Sequence, residues 1–296
     1  MGYLVVSGHT NIDYLAHVER LPAPHESMEF SPPLRALGGT AANIALAAAR
    51  LGVPTALSSF VGPDFPPEFS RQIKAAGVDM RALVRLKRST TPVCWVFSDP
   101  RENHMAFINQ GAAAQADRHP VPTRVLAGAR VLHLSTGRAL HQTRAAREGA
   151  RRGLEVFFDP GQELSYVWTP AALRRVLKHC DGIFLNEHEM RVALKYLGRR
   201  RPQDLLDHVP LVVGTRGRRG SFAFTREERV STRGIPARRV VNATGAGDVF
   251  RGGFYAGRYR SLPLRGCLEC GEHPRGECAA RGDLRHDIGL MRVRSG

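Results

Sequence analysis

Asn242-Ala243-Thr244-Gly245-Ala246-Gly247-Asp248 is a turn almost free of side chains. It runs into an apolar helical pattern: Val249, Phe250, Gly253, Phe254, Tyr255 and Ala256. The first N–H groups of a helix have no partner inside it and carry partial positive charge, so such a turn attracts an anion. Glycine lets the backbone come close to that anion. Asp248 places a carboxylate next to it. The pair supplies what phosphoryl transfer needs, namely donors for charge on the moving group and a base for the proton of the attacking hydroxyl. The plainer alternative is a glycine turn before an ordinary helix, with Asp248 as its cap. A Walker A loop is excluded because no Gly-Lys-Ser/Thr follows. The dinucleotide fingerprint is excluded because Phe250 stands where a third glycine is required.

Outward from this turn, strands and helices alternate. Tyr3–Ser7 reads as a first strand, and Gly38-Gly39 opens an alanine-rich helix over Thr40–Leu51. Ala56–Val61 reads as a strand and Pro67–Ala76 as a helix capped by Gly77. Strands are expected at Arg130–Leu134, Glu155–Phe158, Gly182–Leu185 and Leu211–Val213, with helices at Gln142–Arg152, Ala171–His179 and Glu187–Leu197 between them. This rhythm predicts an α/β fold with a mainly parallel central sheet flanked by helices. Segments 14–37 and 88–110 break it and predict a small β lid, with a hairpin of Thr91–Phe97 and His104–Asn109. The chain reads as a single domain over 1–296, without internal repeats. Ligands of such sheets bind at the carboxyl ends of the strands. Asn11 and Asp13, Asp159 and Gly161, Asn186 and Glu189, and Thr215 and Gly217 all fall there.

Composition narrows the function. No apolar run reaches the length of a membrane span, and Met1–Gly8 reads as a strand without a basic leader, so a cytoplasmic protein is expected. The formal charge is +16, mostly from scattered arginine. Scattering speaks against a nucleic-acid arm and for solvated faces that still draw phosphorylated ligands. Cys94 and Cys180 read as buried thiols. Cys267, Cys270, His273 and Cys278, with His286 nearby, form a loosely zinc-like spacing.

Two segments resemble the ribokinase-like (PfkB) family of carbohydrate and nucleoside kinases. Gly38-Gly39-Thr40-Ala41-Ala42-Asn43-Ile44-Ala45 is similar to the family's N-terminal signature, and Ala243–Phe250 to its C-terminal one. Phe158-Asp159-Pro160-Gly161, Asn186-Glu187-His188-Glu189 and Val213–Gly217 with Gly220 support the likeness, which covers residues 1 to about 262. The resemblance implies an ATP- and Mg²⁺-dependent kinase. Asp13, Gly38, Gly39 and Asn43 would hold the sugar. Gly245, Ala246 and Gly247 would hold the transferring phosphoryl, with Asp248 as base. Asn186 and Glu189 would organise Mg²⁺ near the phosphates, and Thr215, Gly217 and Gly220 would line the nucleotide groove. Asn186 and Glu189 have an ordinary alternative as an N-terminal cap pair.

Gly8–Tyr14, Thr91–Phe97 and Phe158–Gln162 look like the archaeal nucleoside kinase branch, which implies the 5′-hydroxyl of a nucleoside such as inosine, guanosine or cytidine as acceptor. A sugar or sugar phosphate is the alternative acceptor, with Arg35, Arg101 or Arg138 to hold a phosphate. A catalytically weak nucleotide- or nucleic-acid-binding protein is the third reading. Many relatives pair through their lids, which implies a homodimer. Two features depart from the family. Asn242 replaces a commonly acidic residue. The segment 267–296 lacks a helical apolar period and reads as an atypical tail, out of frame relative to an intact relative.

Overall fold

A computed structural model describes residues 2–101, 103–234 and 245–273 of the chain. Among them, β1 (Leu4–Ser7), β4 (Thr55–Val61), β5 (Asp79–Arg85), β8 (Val131–Leu134), β9 (Glu155–Phe158), β10 (Gly182–Asn186), β11 (Leu211–Thr215), β12 (Ser221–Phe224) and β13 (Arg229–Thr232) form a nine-stranded sheet. Its order is β13-β12-β11-β10-β9-β8-β1-β4-β5. The run from β11 to β5 is parallel throughout, so those strands end at one common edge. Only β12 and β13 turn back antiparallel.

Side chains alternate across the parallel strands and divide the core in two. Leu4, Val6, Phe157, Phe184 and Val213 point to one layer, with α1 (Thr40–Arg50), α2 (Pro67–Ala75), α7 (Ala246–Tyr259) and α8 (Leu264–Glu272). Val5, Val156, Phe158, Ile183 and Val212 point to the other. There they meet α3 (Thr123–Leu126), α4 (Ala139–Arg151), α5 (Pro170–Leu177) and α6 (Glu187–Leu197). Both faces are covered, as the continuous apolar strands require.

A second sheet, β3-β2-β6-β7, stands apart from the first. It consists of β2 (Asn11–His17), β3 (Leu34–Gly38), β6 (Val93–Ser98) and β7 (His104–Asn109). Strand β2 pairs antiparallel with β3 and parallel with β6, which brings Asp13 opposite Ala36 and Cys94.

The helix layer explains how distant signatures meet. Ala47 and Ala48 on α1 offer no bulk, and a Cβ at Gly252 of α7 would come within 2.5 Å of Ala47 Cβ. The two helices are therefore in backbone-close contact. On its other side α7 packs on α8 through buried Cys267, Leu268 and Cys270. This corrects the expected start of the atypical tail. Residues 267–272 are helical, and their apolar face escaped notice because it is built of small residues, Cys267, Cys270 and Gly271. Residues 274–296, with Cys278 and His286, lie outside the described residues. Strands β5 and β13 are further elements that the alternation did not reveal.

Candidate active site

Gly245 takes φ of +95° as the N-cap of α7, a conformation that favours glycine, and among the described residues no side chain caps the helix. Ala246 and Gly247 follow as its first helical residues, and Asp248 occupies the third position. The carboxylate of Asp248 does not turn back to its own helix. It accepts a hydrogen bond from Asn43 Nδ2 at 2.9 Å. The plain cap reading of Asp248 therefore fails, and among the described residues no side chain pairs with the amides at the start of α7.

Asn43 comes from the first turn of α1, which Gly39 opens with φ of +92°. Above it, Asp13 lies directly against the Cα of Gly38, where any side chain would collide with its carboxylate. Asp13 Oδ1 is buried without a hydrogen-bond partner. Burial pushes Asp13 up to about 7, against a hydrogen bond from Asn11 that lowers it. Burial likewise pushes Asp248 up to about 7. The Asn43 hydrogen bond and the Arg251 charge pull it down, and Asp159 and Asp13 push it up. A carboxyl poised there is well matched to accept a proton near neutral pH.

At the ends of β9 and β10 lies a buried charge cluster. Arg251 Nε and Nη2 donate to Asp159 Oδ2 and Oδ1 at 2.6 and 3.2 Å. Asp159 is also 3.7 Å from His133 Nε2, while His133 Nδ1 is 2.6 Å from the Tyr255 hydroxyl. Burial holds His133 down at about 4, so this imidazole is neutral. Asn186 and Glu189 form a full capping box at the start of α6. The Asn186 side chain accepts from the Glu189 N–H at 2.9 Å, and Glu189 accepts from the Asn186 N–H at 2.8 Å and from Nδ2 at 2.7 Å. The cap alternative for this pair is thus realised in geometry. Glu189 also belongs to the cluster. Burial and the charge of Asp159 raise it to about 7, opposed by Arg251.

Thr215 closes β11 directly beside Asn186 in the sheet register. Gly217 (φ +55°) and Gly220 (φ +87°) turn the chain into β12. A side chain at Gly217 would meet nothing within 4 Å, so the surface there is open. The expected residues thus fall into two groups on one edge. One holds Asp13, Gly38, Gly39, Asn43 and Gly245–Asp248, and the other Asn186, Glu189, Thr215, Gly217 and Gly220. Arg251 stands within electrostatic reach of both Asp248 and Glu189. Arg251 was not anticipated from the sequence. The signal was a charge amid Val249, Phe250, Gly252, Gly253 and Phe254, three residues after Asp248. Asn242, Ala243 and Thr244 lie outside the described residues.

The donors fit a magnesium nucleotide. Among the described residues, no three His, Cys, Asp or Glu side chains gather into an ion cage. Magnesium commonly keeps its waters and binds through one or two carboxylates plus phosphates, and Glu189 offers one carboxylate within reach of Asp159 and Arg251. Burial first, and the Asp159 charge second, raise the Glu189 carboxyl, and a nearby cation would favour its ionised form.

The family model for pfkB carbohydrate kinases matches residues 1–273. The nucleoside kinase of Methanocaldococcus jannaschii is 31% identical, over 88% of this chain and 84% of its own length. That of Methanothermobacter thermautotrophicus is 31% identical over 89% and 85%. The crystal structure of the Methanocaldococcus jannaschii nucleoside kinase, described as an archaeal member of the ribokinase family, superposes with a TM-score of 0.83. It is 29% identical, covering 92% of this chain and 89% of that one. The match to residue 273 carries the likeness beyond residue 262, through α8.

Proposed function

This chain belongs to the pfkB family of carbohydrate kinases, and from that premise we propose that it transfers the γ-phosphoryl group of ATP to the 5′-hydroxyl of a nucleoside. The observation that carries the chemistry is the 2.9 Å contact of Asn43 with Asp248, which joins the two signatures over an uncapped helix start. Asp13, with an unpartnered buried oxygen, accepts from ribose hydroxyls and orients the sugar. Asn43 fixes the Asp248 carboxylate. Asp248 takes the proton of the primary hydroxyl as its oxygen bonds to phosphorus and the bond to the leaving ADP oxygen breaks. The amides of Gly245, Ala246 and Gly247 hold the charge that builds on the transferring group. Thr215, Gly217 and Gly220 border the nucleotide. A bound Mg²⁺, organised from the side of Asn186 and Glu189, supplies neutralisation of the phosphates.

The acceptor class rests on the nucleoside kinases of two methanogens, each 31% identical over most of this chain. A sugar phosphate would need a free cation near the small sheet. Arg35 is paired with Glu68 and Arg138 with Asp117, while Arg101 is exposed beside the β6–β7 turn, so the acceptor panel below decides between the two. A homodimer joined through the small sheet is part of the same reading, supported by the exposed Leu34, Phe107 and Ile108.

The test is a panel of inosine, guanosine, cytidine, ribose and fructose 6-phosphate with ATP and Mg²⁺. We expect the highest kcat/KM for a nucleoside and a 5′-monophosphate product by phosphorus NMR. Turnover confined to ribose or fructose 6-phosphate would transfer the assignment to the sugar reading.

A further inference from the structure

Beneath the phosphoryl turn sits a cation that helix formation does not require. Arg251 is one turn after Asp248 on α7 and therefore on the same face. It is 5% exposed, and its partner Asp159 is 4% exposed. Two of its nitrogens, Nε and Nη2, are spent on the two carboxylate oxygens of Asp159. The third, Nη1, faces Gly247, where a Cβ would stand only 2.6 Å from it. The guanidinium carbon lies 5.7 Å from the centre of the Phe184 ring. The bidentate grip and the ring leave it one orientation.

A buried ion pair adds little stability over an apolar pair of similar volume. Stability alone is therefore a weak reason to bury an arginine among Phe250, Gly252, Gly253 and Phe254. Position is a stronger one. Asp159 accepts from Arg251 on both oxygens, and that grip holds the guanidinium in place. The charge of Arg251 is thereby fixed behind the amides of the turn. Fixed charge of this kind, in a site shielded from water, needs no reorganisation when negative charge develops.

We infer that Arg251, clamped by Asp159 behind Gly247, is a positioning residue of phosphoryl transfer that backs the amide cradle of α7 with a fixed positive charge. The inference rests on the kinase reading above, and the experiment keeps the two apart. Four variants are compared: Arg251→Lys, Arg251→Gln, Asp159→Asn and the double variant Arg251→Gln/Asp159→Asn. The single Gln variant strands Asp159 as a buried unpaired charge and can fail to fold for that reason alone. The double variant removes both charges without stranding either, and its thermal midpoint reports whether it is folded.

In the double variant kcat should stay down by about 10²-fold, the scale of one lost stabilising donor. The acceptor KM should remain within about threefold, since binding is not what was removed. Arg251→Lys should retain most of kcat by keeping the charge, and Asp159→Asn should fall between. Orthophosphate affinity by calorimetry gives a readout without turnover. It should weaken roughly tenfold in the double variant, about 1.4 kcal/mol, and hold in Arg251→Lys. Wild-type kcat and phosphate affinity in the folded double variant would overturn the inference and leave the pair as packing. A wild-type chain that turns over no acceptor would sink the kinase reading alone, while phosphate affinity would still decide the role of Arg251.

Discussion

Helices α6 and α7 both start at the carboxyl edge of the main sheet, and both carry a carboxylate at their third position. The two starts are used in opposite ways. On α6, Asn186 and Glu189 satisfy each other, and the helix end is closed. On α7, Gly245 offers no side chain, and Asp248 reaches across to Asn43 on another helix. Among the described residues, no side chain closes the amides of α7. Burial lifts both carboxyls to about 7, so similar chemistry is poised at each. The difference lies in where the local hydrogen bonds go. A closed helix start belongs first to the fold, and an open one to the ligand.

The largest effect that this contrast predicts is at Asp248. Asp248→Asn should lower kcat by about 10²–10⁴-fold, the usual cost of losing a general base, with acceptor KM little changed. Stability should move the other way. A carboxyl raised to about 7 in the folded chain favours folding at low pH, and that contribution is lost as pH rises from about 4 through about 7. The variant should lose less stability over that window than the wild type in denaturation curves at stepped pH. Asp13 and Glu189 are raised in the same sense and leave a residual slope in both proteins. Turnover that survives the substitution would remove Asp248 from the role of base.

A smaller effect sharpens the part played by Asn43. Its hydrogen bond holds Asp248 below the value that burial alone would impose, together with the Arg251 charge and against Asp159 and Asp13. Asn43→Ala should move the acid limb of the kcat/KM profile upward by about one pH unit, so that the rate near pH 7 drops roughly fivefold and recovers at alkaline pH. A drop of equal size at every pH would mean that Asn43 places the carboxylate without tuning it.

Much of this was legible from residue patterns. The alternation of β4, β8, β9, β10 and β11 with helices sets a parallel sheet, and a parallel sheet sets a common carboxyl edge. The glycines at 38, 39, 245 and 247 mark backbone that must pass close to something. Periodicity does not report what those glycines meet. That Gly252 exists to let α7 close on Ala47, or that Gly247 rests over Arg251, depends on which helices become neighbours. Arg251 was passed over for the same reason. A lone arginine on a helix is ordinarily solvent-facing, and only the placement of Asp159 at the end of β9 reveals that it is buried. Helix α8 was missed because cysteine and glycine make a narrow apolar face that a search for leucine-sized residues does not detect. Asn186 and Glu189 were legible as two things at once, and the structure realises the cap without removing Glu189 from the charge cluster.

The smallest effect separates those two roles at Glu189. Glutamine at this position can still accept from the Asn186 N–H, so Glu189→Gln should keep the capping box and leave the thermal midpoint close to that of the wild type. Alanine cannot, and Glu189→Ala should cost about 1 kcal/mol, or roughly 1–2 °C in thermal midpoint for a chain of this size. Both variants lose the negative charge beside Asp159 and Arg251. If Glu189 only closes the helix, a Mg²⁺ titration of kcat should separate the two, with Gln matching the wild type and only Ala altered. If its carboxylate also serves the cation, both should need severalfold more Mg²⁺ for half-maximal turnover despite their different stabilities. We expect the second pattern, because a buried carboxyl lifted to about 7 is most readily ionised when a cation is beside it.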